Sequence, residues 1–349
     1  MGKVYSMTIK YLDSKRISGT TADREGIPAV SGGWKELART TLGSAGDIIS
    51  VASLADKRYY MVLNSVIPSG SVSPRRRLNN DSGSNYSART SGNGSSDATN
   101  TSISYFNTYT NYSNPYFQID NIVNISNKEK LNISQLVDQN SAGAGTAPQR
   151  EEGVNKWANT SASINRYDSV NTEGGDYNTG SEVVVLGWDD SDTHTTNFWE
   201  ELADISLTST NTSLDSGTFT AKKYLWVQMY QKGMTGNNTL YNFNSDTASN
   251  YSRRWNIDGG NDFTTGSTTG LMCHNAVGTQ TDNFFNMFIV NNSANEKLVI
   301  SSSVYTISTG SSSPPSREEH VGKWDNTSSQ ITSIQFDHGG SNFGIGSSI

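Results

Sequence analysis

Arg150-Glu151-Glu152-Gly153-Val154-Asn155-Lys156-Trp157-Ala158-Asn159-Thr160-Ser161 returns as Arg317-Glu318-Glu319-His320-Val321-Gly322-Lys323-Trp324-Asp325-Asn326-Thr327-Ser328, and Ile164 is matched by Ile331. Every match keeps the offset of 167. So many matches in one register read as one element of a domain present twice. The Trp ends one strand and the Ile starts the next, with Asn-Thr-Ser between them as turn chemistry. Arg150 with Glu152, and Arg317 with Glu319, read as ion pairs at a strand end, with Trp157 and Trp324 as anchors. The stretch is therefore a structural bracket. The adjacent acids Glu151-Glu152 and Glu318-Glu319 also suit the two carboxylates of glycoside hydrolysis, but their recurrence beside an arginine favours the ion pair.

Upstream of the bracket the register continues with a slightly shorter offset. Trp34-Lys35-Glu36-Leu37-Ala38 matches Trp199-Glu200-Glu201-Leu202-Ala203 at 165. The same spacing relates the aromatic, β-branched runs Tyr59–Leu63 and Tyr224–Met229, which read as strands. A polar loop recurs too: Asn79, Asp81, Ser84-Asn85-Tyr86-Ser87 and Arg89 align with Asn244, Asp246, Ser249-Asn250-Tyr251-Ser252 and Arg254. Its persistence suggests an internal brace, with Arg89 holding Asp81 and Tyr86 plugging the sandwich end. Between this loop and the bracket lie two unlike, low-complexity stretches, Thr90 to Asn114 and Trp255 to Asp282. Variable surface loops carry binding functions, so Tyr105, Tyr109, Tyr112, Trp255 and Phe263 are the candidate partner- or receptor-facing residues.

Downstream, copy one finishes with the apolar run Glu182-Val183-Val184-Val185-Leu186-Gly187-Trp188, whereas copy two reaches Ser347 and stops at Ile349. Copy two is expected to lack that strand, and an open strand edge is a template for pairing. The segment before copy one, residues 1–33, has no counterpart. It is either a poorly ordered terminus or an arm that adds a strand to another subunit.

Composition agrees with an ordered all-β chain. Of 349 residues only 33% are hydrophobic and 17% charged, yet 10% are aromatic and sit in short β-branched runs, unlike a disordered chain. A net charge of −7 argues against nucleic acid as a partner. Arg75-Arg76-Arg77 reads as a solvated loop or a subunit contact. The single Cys273 excludes an intramolecular disulfide, and no apolar run is long enough to enter a membrane. There is no secretory leader pattern at the N-terminus. The four histidines, His194, His274, His320 and His338, make no zinc-binding pair. The acidic clusters at Asp189-Asp190-Ser191-Asp192 and at Asp258 to Asp262 lack calcium-loop spacing. No cofactor and no enzymatic activity are expected.

The pattern Lys-Trp-x-Asn-Thr-Ser-x-x-Ile followed by a Gly-Ser turn, together with Asn80-Asp81-Ser82-Gly83-Ser84-Asn85-Tyr86-Ser87, resembles a group of phage and environmental viral proteins. The resemblance covers residues 34–349 and implies β-sandwich virion components of tail-associated, fibre or capsid-decorating type. Its motifs are structural and carry no catalytic residue. The expectation is two tandem antiparallel, jelly-roll-like β-sandwiches, at 34–190 and 197–349, joined by 191–196 and preceded by the arm at 1–33. The expected role is a non-enzymatic virion surface protein assembling with copies of itself and other virion proteins, with attachment to a host glycan or receptor. The alternative is a carbohydrate-binding or adhesive module at the cell surface.

Overall fold

The structure is a computed structural model and describes residues 33–192, 196–233, 238–275, 282–306 and 310–349. All of the arm at 1–33 except Gly33, together with its strand-adding role, lies outside the described residues, as does His194 in the linker. All regular structure among the described residues is β. The first copy supplies β1 (Lys35–Thr41), β2 (Ile48–Ala52), β3 (Tyr59–Val66), β4 (Pro74–Leu78), β5 (Tyr86–Gly92), β6 (Ala98–Ile103), β7 (Tyr116–Val123), β8 (Lys130–Asp138), β9 (Gln149–Trp157), β10 (Arg166–Asn171) and β11 (Glu182–Trp188). The second supplies β12 (Ser213–Asp215), β13 (Tyr224–Lys232), β14 (Thr239–Phe243), β15 (Tyr251–Ile257), β16 (Phe263–Thr268), β17 (Leu271–His274), β18 (Asp282–Val290), β19 (Lys297–Tyr305), β20 (Ser316–Trp324) and β21 (Ile334–Asp337).

Each copy is a β-sandwich of one large and one small antiparallel sheet. In the first, the large sheet runs β1-β11-β3-β7-β8-β9-β5-β6 and the small one β2-β10-β4. In the second, the large sheet runs β13-β18-β19-β20-β15-β16 and the small one β12-β21-β14-β17. The six strands β3, β7, β8, β9, β5 and β6 thus recur in the same spatial order as β13, β18, β19, β20, β15 and β16. Strand β11 has only the beginning of a counterpart: Ser348 bridges Tyr230 of β13 on one side and Ser206 on the other. Along β13 from Tyr224 to Gln228, no strand lies on that side among the described residues.

Alternation along each strand sends one set of side chains into its own sandwich and the other outward. In β7, Tyr116 and Ile122 enter the first core, while Phe117 and Ile119 point out. In β13, Leu225 and Met229 enter the second core and Tyr224 points out. The outward set forms a third apolar cluster between the large sheets. Met61, Leu63, Phe117, Ile119, Val137, Val184 and Leu186 of the first copy pack against Tyr224, Phe288, Val290, Leu298, Ile300 and Val321 of the second. Burying each such side chain contributes roughly 1.5–3 kcal/mol, so the sandwiches are joined by a true core.

Polar contacts frame that core. Arg150 of β9 reaches Asp262 at 2.7 Å, and Arg254 donates to the Pro148 carbonyl at 2.9 Å. Lys323 donates to the carbonyls of Gln139, at 3.0 Å, and Ser141. Gly266 and Gly145 meet backbone to backbone, where a Cβ on Gly266 would stand 2.5 Å from the Gly145 oxygen. The second acidic cluster is thus used here: Asp262 pairs with arginine across the joint.

Candidate functional site

The bracket forms in both copies. Arg150 lies 3.1 Å from Glu152 and Arg317 3.1 Å from Glu319. Trp157 and Trp324 are buried. Each indole donates Nε1–H to a loop carboxylate, Asp81 at 2.7 Å and Asp246 at 2.8 Å. Tyr86 stacks on Trp157 and Tyr251 on Trp324, each with 6.2 Å between ring centroids. The brace expected from the sequence exists with a different holder. Arg89 pairs with Asp97 at 3.1 Å, and Asp81 is held by Trp157, the Asn85 amide and the Gly83 N–H. Burial alone would raise the Asp81 carboxyl; those hydrogen bonds outweigh it and hold the group below its usual range. Asp81→Ala, and equally Asp246→Ala, is expected to lower the stability of its sandwich by about 2 kcal/mol through loss of charge-assisted hydrogen bonds, measured by urea unfolding.

The neighbouring acids do not form a catalytic pair. Consecutive residues of a strand face opposite ways, so Glu151 enters the first core and Glu152 faces the joint between copies. Glu151 is buried and accepts a hydrogen bond from Tyr112. Burial pushes its carboxyl up to about 7 against the pull of Tyr112 and Arg76. Among the described residues no group of three or more His, Cys, Asp or Glu is placed to hold a metal ion.

The candidate recognition residues separate. Tyr109 and Phe263 are exposed, while Tyr112 and Trp255 are buried. Tyr112 is drawn in by packing on Tyr116 and its bond to Glu151, and Trp255 sits in β15 with Phe263 stacked on it at 5.4 Å. Tyr105 lies against the Arg75 guanidinium, 5.0 Å from the ring centroid. The arginine cluster corrects the sequence reading most. It forms strand β4, and Arg76 is fully buried, 3.5 Å from Asp120. Asp120 also accepts from Tyr167 at 2.7 Å and Asn132 at 2.9 Å. With the Gln118 amide oxygen turned to the guanidinium, it accepts from Arg76 at 3.2 and 3.3 Å.

This buried network creates the feature sequence reasoning missed. Because Asn132 and Asn155 turn inward, hydrogen-bonded to Asp120 and to each other, their apolar neighbours are turned outward. Leu131, Ile133 and Val154 are 53%, 60% and 50% exposed on the outer face of the large sheet. They floor a groove of about 1010 Å³. Arg89 and Lys156 stand on one side and Trp34, Tyr59 and Trp188 on the other. Tyr59 and Trp188 stack at 5.3 Å, interplanar angle 20°. The signal was present in the repeat: copy two carries Val299 and Gly322 where copy one carries Asn132 and Asn155. The groove thus combines an apolar floor with a rim of two cations and an aromatic pair. No family model matches the chain, and neither does any curated protein.

Proposed function

We propose that this chain is a non-enzymatic structural protein of a virion surface, a tail, fibre or capsid-decorating component that acts by assembly. The observation supporting this reading best is that the fold uses its outer sheet face as a joining surface. The second copy's Leu298, Ile300 and Val321 are buried against the first copy, while the first copy holds the matching face open. The virion setting itself rests on the resemblance of the Lys-Trp-x-Asn-Thr-Ser bracket and the Asn80–Ser87 loop. Attachment to a host surface would fall to the exposed rings Tyr109 and Phe263. The test is mass spectrometry of purified particles. The protein is expected at fixed stoichiometry with the other virion proteins, and its absence from particles would sink the reading.

The Tyr59–Trp188 pair at the groove wall favours one second reading, a carbohydrate-binding module, since flat aromatic faces stack on sugar rings. Binding on a glycan array that Tyr59→Ala abolishes would favour it over the assembly role.

A further inference from the structure

We infer that the groove on the first copy is the docking site for the second copy of another molecule of this same chain. The inference rests on the assembly reading above and names the partner. Within one chain, two half-faces are already joined. The receiving half, on the second copy, presents Leu298, Ile300 and Val321, which are 2%, 3% and 2% exposed. The inserting half, on the first copy, presents Met61, Phe117 and Val137, buried to the same degree. The repeat places each half-face a second time. Leu131, Ile133 and Val154 in the groove occupy the sequence positions of Leu298, Ile300 and Val321 at the 167 offset. Trp226, Phe284 and Val304 occupy the positions of Met61, Phe117 and Val137. All six are exposed, the latter three by 37%, 44% and 41%. Each chain therefore carries one used pair and one unused pair of related surfaces, the unused inserting half being without the β11 residues.

The donor side of the joint's polar frame is duplicated as well. In the used pair, Lys323 and Arg254 donate to the carbonyls of Gln139 and Pro148 of the inserting copy. The groove has Lys156 and Arg89 at those positions, engaged among the described residues with Glu129 and Asp97 in solvent-exposed pairs. Such pairs are weak, so both cations can turn to incoming carbonyls. The unused pair is smaller and more polar: Val184 and Leu186 of β11, which pack in the used joint, have no counterpart beside β13 among the described residues, and three positions are substituted. Asn121 stands where Phe288 lies in the used joint, and Gln228 and Asn286 stand where Leu63 and Ile119 lie. A joint with less apolar area is reversible, so the contact between molecules is weaker than the one within a chain. It joins unlike surfaces, and unlike surfaces close into reciprocal pairs or rings or run on as open chains.

The test is analytical ultracentrifugation of the full chain with two surface variants, Ile133→Lys in the groove and Phe284→Lys on the inserting half. Wild type is expected to gain mass with concentration. Each variant alone should associate at least about tenfold more weakly, since a lysine ammonium would have to be desolvated in the joint. An equimolar mixture of the two variants should restore association as one-to-one pairs and nothing larger, because each supplies the surface the other lacks. Circular dichroism matching wild type establishes that both variants fold. Wild type remaining monomeric up to about 1 mM, variants associating like wild type, or a mixture that stays monomeric would each overturn the inference. Absence of self-association with the protein still stoichiometric in particles would overturn this docking alone. Self-association without incorporation into particles would overturn the virion reading alone.

Discussion

Arg76→Ala is expected to destabilise the first sandwich by about 3–5 kcal/mol, because it strands Asp120 as an uncompensated buried charge. Both partners are fully buried, 3.5 Å apart. Burial alone would pull the guanidinium down; Asp120, with Tyr167 and Glu151, outweighs it and keeps the group charged. The repeat supplies the matching control. At the positions of Arg76, Gln118, Asp120, Asn132 and Tyr167 the second copy has Tyr241, Phe285, Met287, Val299 and Ile334, all buried in its core. Transplanting those five residues into the first copy removes Arg76, Asp120 and the side chains bonded to them at once. Replacing a complete buried ionic cluster by packed apolar groups is neutral or stabilising by roughly 1–4 kcal/mol. The single variant should therefore lose stability and the fivefold variant should not. Hydrogen exchange of peptides from β4 and β7 reads the first sandwich separately from the second. A fivefold variant as damaged as Arg76→Ala would show that the network contributes net stability.

The same cluster explains what the sequence could and could not disclose. The repeat was legible because the offset is blind to environment: it located Trp157 and Trp324, the Asn-Thr-Ser turns and the strands on either side. Trp157 was legible as an anchor because no solvated position calls for the same indole twice. Arg76 was not legible, because a triple arginine reads as surface unless its countercharge is known, and Asp120 and Tyr167 arrive from strands distant in sequence. Once Arg76 is inside, the inward turn of Asn132 and Asn155 follows, and so does the outward turn of Leu131, Ile133 and Val154. Ordinary alternation assigns apolar residues to the core. Here one buried charge inverts that assignment over two strands and builds the groove. Arg89 recurs with Asp81 in both copies of the loop, but the indole of Trp157 occupies that carboxylate and Arg89 pairs with Asp97.

The two sandwiches should also answer pH in opposite senses. In the first copy, burial pushes Glu151 and Asp138 up to about 7, from ordinary values of 4.5 and 3.8. Between those limits the folded chain keeps protons that the unfolded chain has released. Stability of the first copy therefore falls as pH rises from about 4 through 7. In the second copy, burial pushes His274 down from 6.5 to about 3, with His338 and His320 adding to the effect. Its Nε2 meets the Thr239 hydroxyl at 3.2 Å, and the same hydroxyl meets His338 Nδ1 at 3.0 Å. Below 6.5 the unfolded chain takes up a proton that the folded chain refuses, so His274 lowers the stability of the second copy as pH drops from about 6.5 through 3, against the smaller opposite pull of Glu296 and Asp337, whose carboxyls burial raises. Each buried group contributes on the order of 3 kcal/mol across its window. Hydrogen exchange corrected for intrinsic rates, at pH 5 and pH 7.5, should find the first copy better protected at the lower value and the second at the higher. Glu151→Gln should remove about half of the first copy's dependence, Asp138 carrying the rest, and leave the second's unchanged. Parallel pH profiles for the two copies, or a Glu151→Gln variant as pH-sensitive as wild type, would show that these groups are solvated in the folded chain.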